Sequence, residues 1–299
     1  MDAPKIRRGF RPRKYIPSNE SAFEILSSEA AYWIGFLLAD GWVRDASKTP
    51  MLVVEIKGED REHLEKLAQF IGFPGPIRQT YREDGRVSSA VHVSSNIICR
   101  DLALWGIVPR KTSITVVPPT LRNSKDFWRG LIDGDGWVSI RRRGDCMVGV
   151  CGTESVCQDF LLYGQRVSGS VSKAQGIHIS YEVGKNGHKS AGYGHSRFDG
   201  VAAACIVKEL YEAPCVSLCR KQKTANRVIE DIIPSRHWNR FQSFEEVRKR
   251  AHNMNIKTSR EWITKTRDRA DLCLPTRPDL TYAERGWISW GNWLGREDV

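Results

Sequence analysis

Two aspartates close near-identical stretches of this chain. Asp40 ends "WIGFLLAD" and Asp135 ends "WRGLIDGD", both are followed by Gly-Trp-Val, and the two lie 95 positions apart. Each sits at the end of an apolar helical run. The negative end of the helix dipole makes a carboxylate cost roughly 0.3–1 kcal/mol there unless something compensates. If the two helices pack side by side, the carboxylates meet, and like charges at close range need a shared proton or a bound cation. A divalent ion held by aspartate and carbonyl oxygens meets that need, and Mg2+ is the candidate such oxygens select, with Mn2+ or Ca2+ able to substitute for binding. A single Asp-Gly reads as a turn; its recurrence at matching positions favours chemistry. The "DGDG" run is not a calcium-binding EF-hand loop, since a third acidic ligand and the terminal Glu are missing.

The elements that must position these acids follow from the spacing. Gly35 and Ala39 in one copy, and Gly130 and Gly134 in the other, give each helix a small-residue face at i and i+4 where a second backbone can approach. Gly41 and Gly136 stand where a helix end favours a residue free to turn left-handed. After the first motif come a short strand "GWVRD", the β-prone "MLVVEI", a helix in "EDREHLEKLAQFIG", the alternating pair "IRQTY" and "RVSSAVHVSS", and a helix "NIICRDLALWGI". The second motif opens the same order: "WVSIRRR" and "CMVGVCG" as a hairpin, "ESVCQDFLLYG" as a helix, "GSVSKA" and "GIHISYEV" as strands, and "GVAAACIVKELY" as the closing helix. The Gly-rich "GKNGHKSAGYGHSRF" reads as a long loop or an extra strand. The expected fold is α+β, two αββαββα halves related by an internal repeat. The expected domains are a basic arm at 1–20, a first half at 21–115, a second half with its linker at 116–239, and a small tryptophan-rich, mainly helical module at 240–299.

Composition limits the partner. Forty-six Lys and Arg against 35 Asp and Glu give the 299-residue chain a net charge of +11, the balance of a protein that meets a polyanion. No apolar run approaches the roughly 18 residues of a membrane span, and the N-terminus lacks a signal peptide's apolar stretch, so the expectation is a soluble intracellular protein, in cytoplasm, nucleoid or organelle matrix. Eight cysteines without a CxxC pair read as reduced thiols rather than zinc ligands or disulfides.

Trp33 to Gly41 and Trp128 to Gly136 resemble the signature of LAGLIDADG homing endonucleases, in its double-motif, monomeric form, and the likeness spans roughly residues 28 to 235. The resemblance implies two halves forming a saddle on double-stranded DNA and one active site built from two helix ends. It implies a site-specific, Mg2+-dependent endonuclease that cuts a long asymmetric target to leave 3′ overhangs. The family's metal-binding acids fall on Asp40 and Asp135, with carbonyls offered by Ala39 and Gly134. Leu38 stands where the family, like Asp133 here, has Asp, but that position is not the catalytic acid. The family's basic residue near the end of each half falls on Lys111 in "VPRKTSI" and Lys221 in "LCRKQKT", with Lys223 the alternative. Glu55 lies in the first core strand where the family often has an acid or amide; the region near Val150 has none, which makes the site asymmetric. Residues 240–299, through "GWISWGNWLG", resemble a tryptophan-rich repeat found beside phage integrases, with the tryptophans expected to form a small core rather than to stack on bases.

Sequence reading is assigned to the wet strand faces. Arg44, Arg78, Arg82, Arg86 and His92 serve one half, and Arg141, Arg143, Lys173 and His178 the other, with lysines and the N-terminal arm holding phosphate. Alternatives on the same fold are an intron RNA maturase and a non-catalytic DNA-binding protein. An intein-embedded nuclease is disfavoured by Met1 and by the lack of a His-Asn-Cys or His-Asn-Ser end. A monomer without an obligate protein partner is expected, because both motifs lie in one chain.

Overall fold

The two motif helices begin alike. Ser27 accepts a hydrogen bond from the Ala30 N–H and Ser124 from the Phe127 N–H, the side-chain capping that supplies a partner for the free amides of a first turn. In the computed structural model, which describes residues 13–44, 50–142, 144–168, 176–180, 192–233, 244–266, 274–283 and 286–296, α1 is Ser28–Ala39 and α4 is Lys125–Asp135. Residues 30 to 38 of α1 are buried without interruption. A helix apolar on all sides belongs in the centre of a fold.

Each helix passes straight into a strand. The first half continues as β1 (Gly41–Arg44), β2 (Met51–Lys57), α2 (Arg61–Phe70), β3 (Arg78–Tyr81), β4 (Val87–Ser94) and α3 (Asn96–Leu104). The second continues as β5 (Gly136–Ile140), β6 (Cys146–Thr153), α5 (Glu154–Ser168), β7 (Gly176–Ser180), β8 (Tyr193–Asp199) and α6 (Gly200–Tyr211), after which α7 is Cys219–Arg227. The sheets have the same antiparallel order, β1-β2-β4-β3 and β5-β6-β8-β7. One apolar core runs through both halves and across α1 and α4, from Leu52, Val54, Leu64 and Val91 to Val148, Val150, Phe160 and Phe198.

Two sequence expectations change. The first concerns the Gly-rich stretch left open as a loop or an extra strand: its last part, Tyr193–Asp199, is a strand and pairs with "GIHIS", His178 opposite His195. The alternation that decides this is exposed Arg197 between buried Ser196 and Phe198, a period of two hidden among glycines; "GSVSKA" lies outside the described residues. Second, Gly41 and Gly136 are not left-handed: Gly136 is extended at φ −121°, and Gly41 is absent from the positive-φ glycines. Space requires them. A Cβ on Gly136 would stand 2.5 Å from the Gly149 carbonyl oxygen and one on Gly41 2.8 Å from that of Leu37.

Beyond α7 the helix continues as one wide turn, Val228–Ile232. Residues 244–266, 274–283 and 286–296 hold a separate core of Phe244, Val247, Trp262, Tyr282 and Trp293, against which Trp287 and Trp290 pack. The tryptophans build the module's interior, as expected. No helix among the described residues is long and apolar enough to cross a membrane.

Candidate active site

The acids are brought together by glycine. A Cβ on Gly35 would collide with the Phe127 carbonyl, one on Gly130 with the Tyr32 carbonyl, and one on Gly134 with the Ala39 side chain. Gly35 faces Phe127 as Gly130 faces Tyr32, so the repeat becomes a two-fold-like packing of α1 on α4. With backbone against backbone, the helix ends and their carboxylates converge.

Both carboxyls feel it. Burial first, and the neighbouring Asp135 second, lift Asp40 to about 6, against the pull of Lys221, Lys111 and Arg220. Burial likewise raises Asp135, opposed by Lys111 and Lys221. An opposite charge placed between them would relieve both effects.

The lysines named from sequence converge on the same place, held differently. Lys111, 7% exposed, opens a short 3-10 turn after left-handed Arg110 and donates from Nζ to the Ala39 carbonyl at 3.1 Å. Lys221, 5% exposed, donates to the carbonyls of Asp133 and Gly136, each at 2.8 Å, and of Ile132. Burial pulls its ammonium down to about 8, against the support of Asp133. Lys223 is exposed.

Two clefts flank the acids. A broad one of about 980 Å³ is lined by Asp40, Gly134, Glu55, Arg82, Arg86 and Arg220. A narrow one of about 30 Å³ is lined by Asp135, Ala39, Lys111, Cys151 and Tyr193. Each joins one motif's acid to the residue preceding the other motif's acid. Glu55 lies on the broad side, where Cys151 lies on the narrow one, so the asymmetry expected at that strand position is present. No group of three or more His, Cys, Asp or Glu among the described residues could hold a metal. Two carboxylates plus carbonyls fit a hard cation that keeps several waters, as Mg2+ does. They do not fit a fully protein-ligated ion. The Ala39 carbonyl already accepts Lys111, which leaves it one lone pair.

The wet faces hold part of the expected set. Arg44, Arg78 and His92 are exposed on the first sheet, and His178 is exposed on the second, stacked 5.4 Å from His195. Arg82 and Arg86 fall in the turn between β3 and β4 and pair with Glu55 and Asp84. Arg141 follows β5 and is engaged by Asp199 at 2.7 Å, so it clasps the sheet end instead of standing free. Arg143 and Lys173 lie outside the described residues. Sequence reasoning passed over Trp42, 46% exposed on the first sheet, and its counterpart Trp137, although both were written in the repeated Gly-Trp-Val. It also passed over Arg129. That side chain is 3% exposed, binds the Val216 and Leu210 carbonyls and pairs with Asp126 at 2.6 Å; its signal was an arginine set among Phe127, Trp128, Leu131 and Ile132.

No family model matches the chain, and no curated protein does. Solved structures do resemble it. "The homing endonuclease I-WcaI bound to its DNA recognition sequence" aligns at 10% identity and TM-score 0.43 over 69% of this chain and 88% of the other. The "I-LtrWI LAGLIDADG homing endonuclease bound to target DNA" aligns at 13% identity and TM-score 0.41 over 71% and 93%. Mesophilic variants of the homing endonuclease I-DmoI align at 12% and 0.37, over 66% and 99%. At such identities and scores, likeness assigns no activity.

Proposed function

We propose that the chain is a double-motif LAGLIDADG-type homing endonuclease: a monomeric, site-specific, Mg2+-dependent enzyme that cuts both strands of DNA. The observation that carries this is the convergence of Asp40 and Asp135, with Lys111 and Lys221, at the glycine-packed ends of α1 and α4. A chain of net charge +11 brings that convergence to a polyanion.

Asp40, Asp135 and the carbonyls of Gly134 and Ala39 would hold the cation. Bound there, Mg2+ would supply Lewis acidity and an acidified water for in-line phosphodiester hydrolysis. The two carboxylates orient it and place a negative charge toward each strand. The Lys111 ammonium, fixed through one hydrogen bond, keeps two N–H donors for phosphate oxygen as charge builds in the transition state. Arg44, Arg78, His92 and His178 reach base edges or phosphates from the sheets, and Arg82 and Arg86 join them on exchanging Glu55 and Asp84 for DNA. We assign the 3′ overhangs and the long asymmetric target to the same reading.

The test is selection of cleaved sites from a plasmid library carrying randomised inserts, in Mg2+ against EDTA. Recovery of one Mg2+-dependent double-strand cut site supports the proposal. Binding without cutting at any divalent ion would move the chain to the non-catalytic DNA-binding class, and preference for structured RNA would move it to the maturase class.

A further inference from the structure

Asp133 occupies the motif position that Leu38 holds in the first copy, yet it is only 1% exposed and lines neither cleft. A buried carboxylate costs several kcal/mol unless it is fully hydrogen-bonded. Asp133 is so bonded, to three different elements. It accepts from the Tyr32 hydroxyl of α1 at 2.7 Å, from the Tyr211 hydroxyl of α6 at 2.8 Å, and from the Leu218 N–H at the start of α7 at 2.7 Å. Tyr32 spends its one proton on this carboxylate. The 2.9 Å contact between its oxygen and His63 Nε2 is therefore an N–H donated by the imidazole, which extends the chain of bonds into α2.

The same residue grips α7 twice. Its carboxylate takes the Leu218 N–H, the Lys221 N–H bonds the Leu218 carbonyl at 2.9 Å, and the Asp133 carbonyl accepts Lys221 Nζ at 2.8 Å. One turn back along α4, Arg129 Nε and Nη1 hold the Val216 and Leu210 carbonyls at 2.9 and 3.0 Å. The segment from α6 to α7 is thus tied to α4 by two buried charges. Among the described residues the first half has no such tie: beside apolar Leu38, Lys111 comes from a 3-10 turn and makes one carbonyl bond.

We infer that Asp133 is the positioning residue for Lys221, a clasp that fixes the first turn of α7 so that this lysine alone is locked onto the end of α4, leaving the two lysines inequivalent. Calling Lys221 part of the cutting machinery rests on the endonuclease reading; the clasp does not.

The test labels amines with an acetyl N-hydroxysuccinimide ester and follows each lysine by mass spectrometry, with exposed Lys208 as the internal reference. In the parent, Lys221 should react slowly. In Asp133→Leu, which copies the first half, Lys221 should react about tenfold faster, the factor for losing one charge-assisted hydrogen bond, while Lys111 keeps its parent rate. Tyr211→Phe removes one support from a fold that should survive, and should show a smaller rise confined to Lys221. Unchanged Lys221 labelling in both variants, or an equal rise at Lys111, would overturn the clasp whether or not the protein cuts DNA. On a selected target in single turnover, Asp133→Leu combined with Lys221→Met should cut within about twofold of Lys221→Met alone, since a residue acting through another adds nothing once that other is gone. Multiplicative losses in that pair of variants would also overturn it.

Discussion

The charge on Asp40 is held at a cost. Its carboxyl, lifted to about 6 by burial and by Asp135, ionises in the folded state only at a cost that an unfolded carboxyl does not bear. Asp40→Asn removes that cost. In EDTA at pH 8 the variant should be more stable than the parent by about 1–2 kcal/mol, after discounting for partial solvent access, read from denaturant midpoints. In Mg2+ both Asp40→Asn and Asp135→Asn should bind a selected target at least as tightly as the parent and fail to linearise it. A variant cutting at the parent's rate would end the two-acid mechanism. With Mg2+ well below saturation, protons compete for Asp40, so single-turnover cleavage should fall by up to about tenfold per pH unit below about 6, and saturating Mg2+ should move that break to lower pH; a break that does not respond to Mg2+ would separate the titration from the chemistry.

At the scale of elements, the decisive feature is the packing of α1 on α4. Gly to Ala within a helix ordinarily stabilises by up to about 1 kcal/mol. Here the sign reverses, because the new methyl meets the Phe127 or Tyr32 carbonyl on a backbone that cannot step aside. Gly35→Ala and Gly130→Ala should each lose about 3 kcal/mol or more, measured by urea unfolding. Stability at or above the parent's would mean that the helices do not meet backbone to backbone. Lys111→Met and Lys221→Met should differ in kind. The first leaves one carbonyl without its ammonium and slows cutting with little loss of stability. The second strips three carbonyls and lowers both.

For the molecule as a whole, charge and buried titration set the response to solution. Arg13 is fastened to Glu20 at 2.6 Å and to the Ser94 carbonyl, so a truncation that keeps those bonds stops at residue 12. Deleting residues 1–12, with Lys5, Arg7, Arg8 and Arg11, should weaken binding to all sequences and lower the salt slope by about 0.9 for each phosphate left without its cationic partner. An unchanged slope would make the arm a passive tail. His63, buried and neutral with its pKa pulled down to about 3 chiefly by burial, opposes acid. The unfolded imidazole takes a proton below about 6.5 while the folded one does not, so stability falls as pH drops from about 6.5 toward 3, by about 1.4 kcal/mol per unit at most. Asp40 works in the opposite direction, regaining its cost as pH falls from about 6 to 3.8. His63→Gln should therefore flatten the acid limb of a thermal-melting series; an unaltered limb would place the loss elsewhere.

The sequence by itself determined the repeat, and with it most of the candidate site. Small residues four apart and an acid before glycine are local patterns, so Asp40, Asp135 and the close approach of the helices were legible from spacing, whereas Lys111 and Lys221 came from the family resemblance. Tertiary structure decided whatever depended on partners far along the chain. Gly41 and Gly136 are glycines because Leu37 and Gly149 crowd them, not because the backbone turns left-handed. Strand β8 was obscured because glycines dilute alternation, and pairing with β7 settles it. Nothing local to Arg141 shows that its resting partner is Asp199, 58 residues on. Asp133 matched a motif letter but was given no role of its own, since its partners Tyr32 and Leu218 stand 101 and 85 residues away. Local periodicity carries which face of an element is buried, but which polar groups meet inside that burial is fixed only when the elements pack.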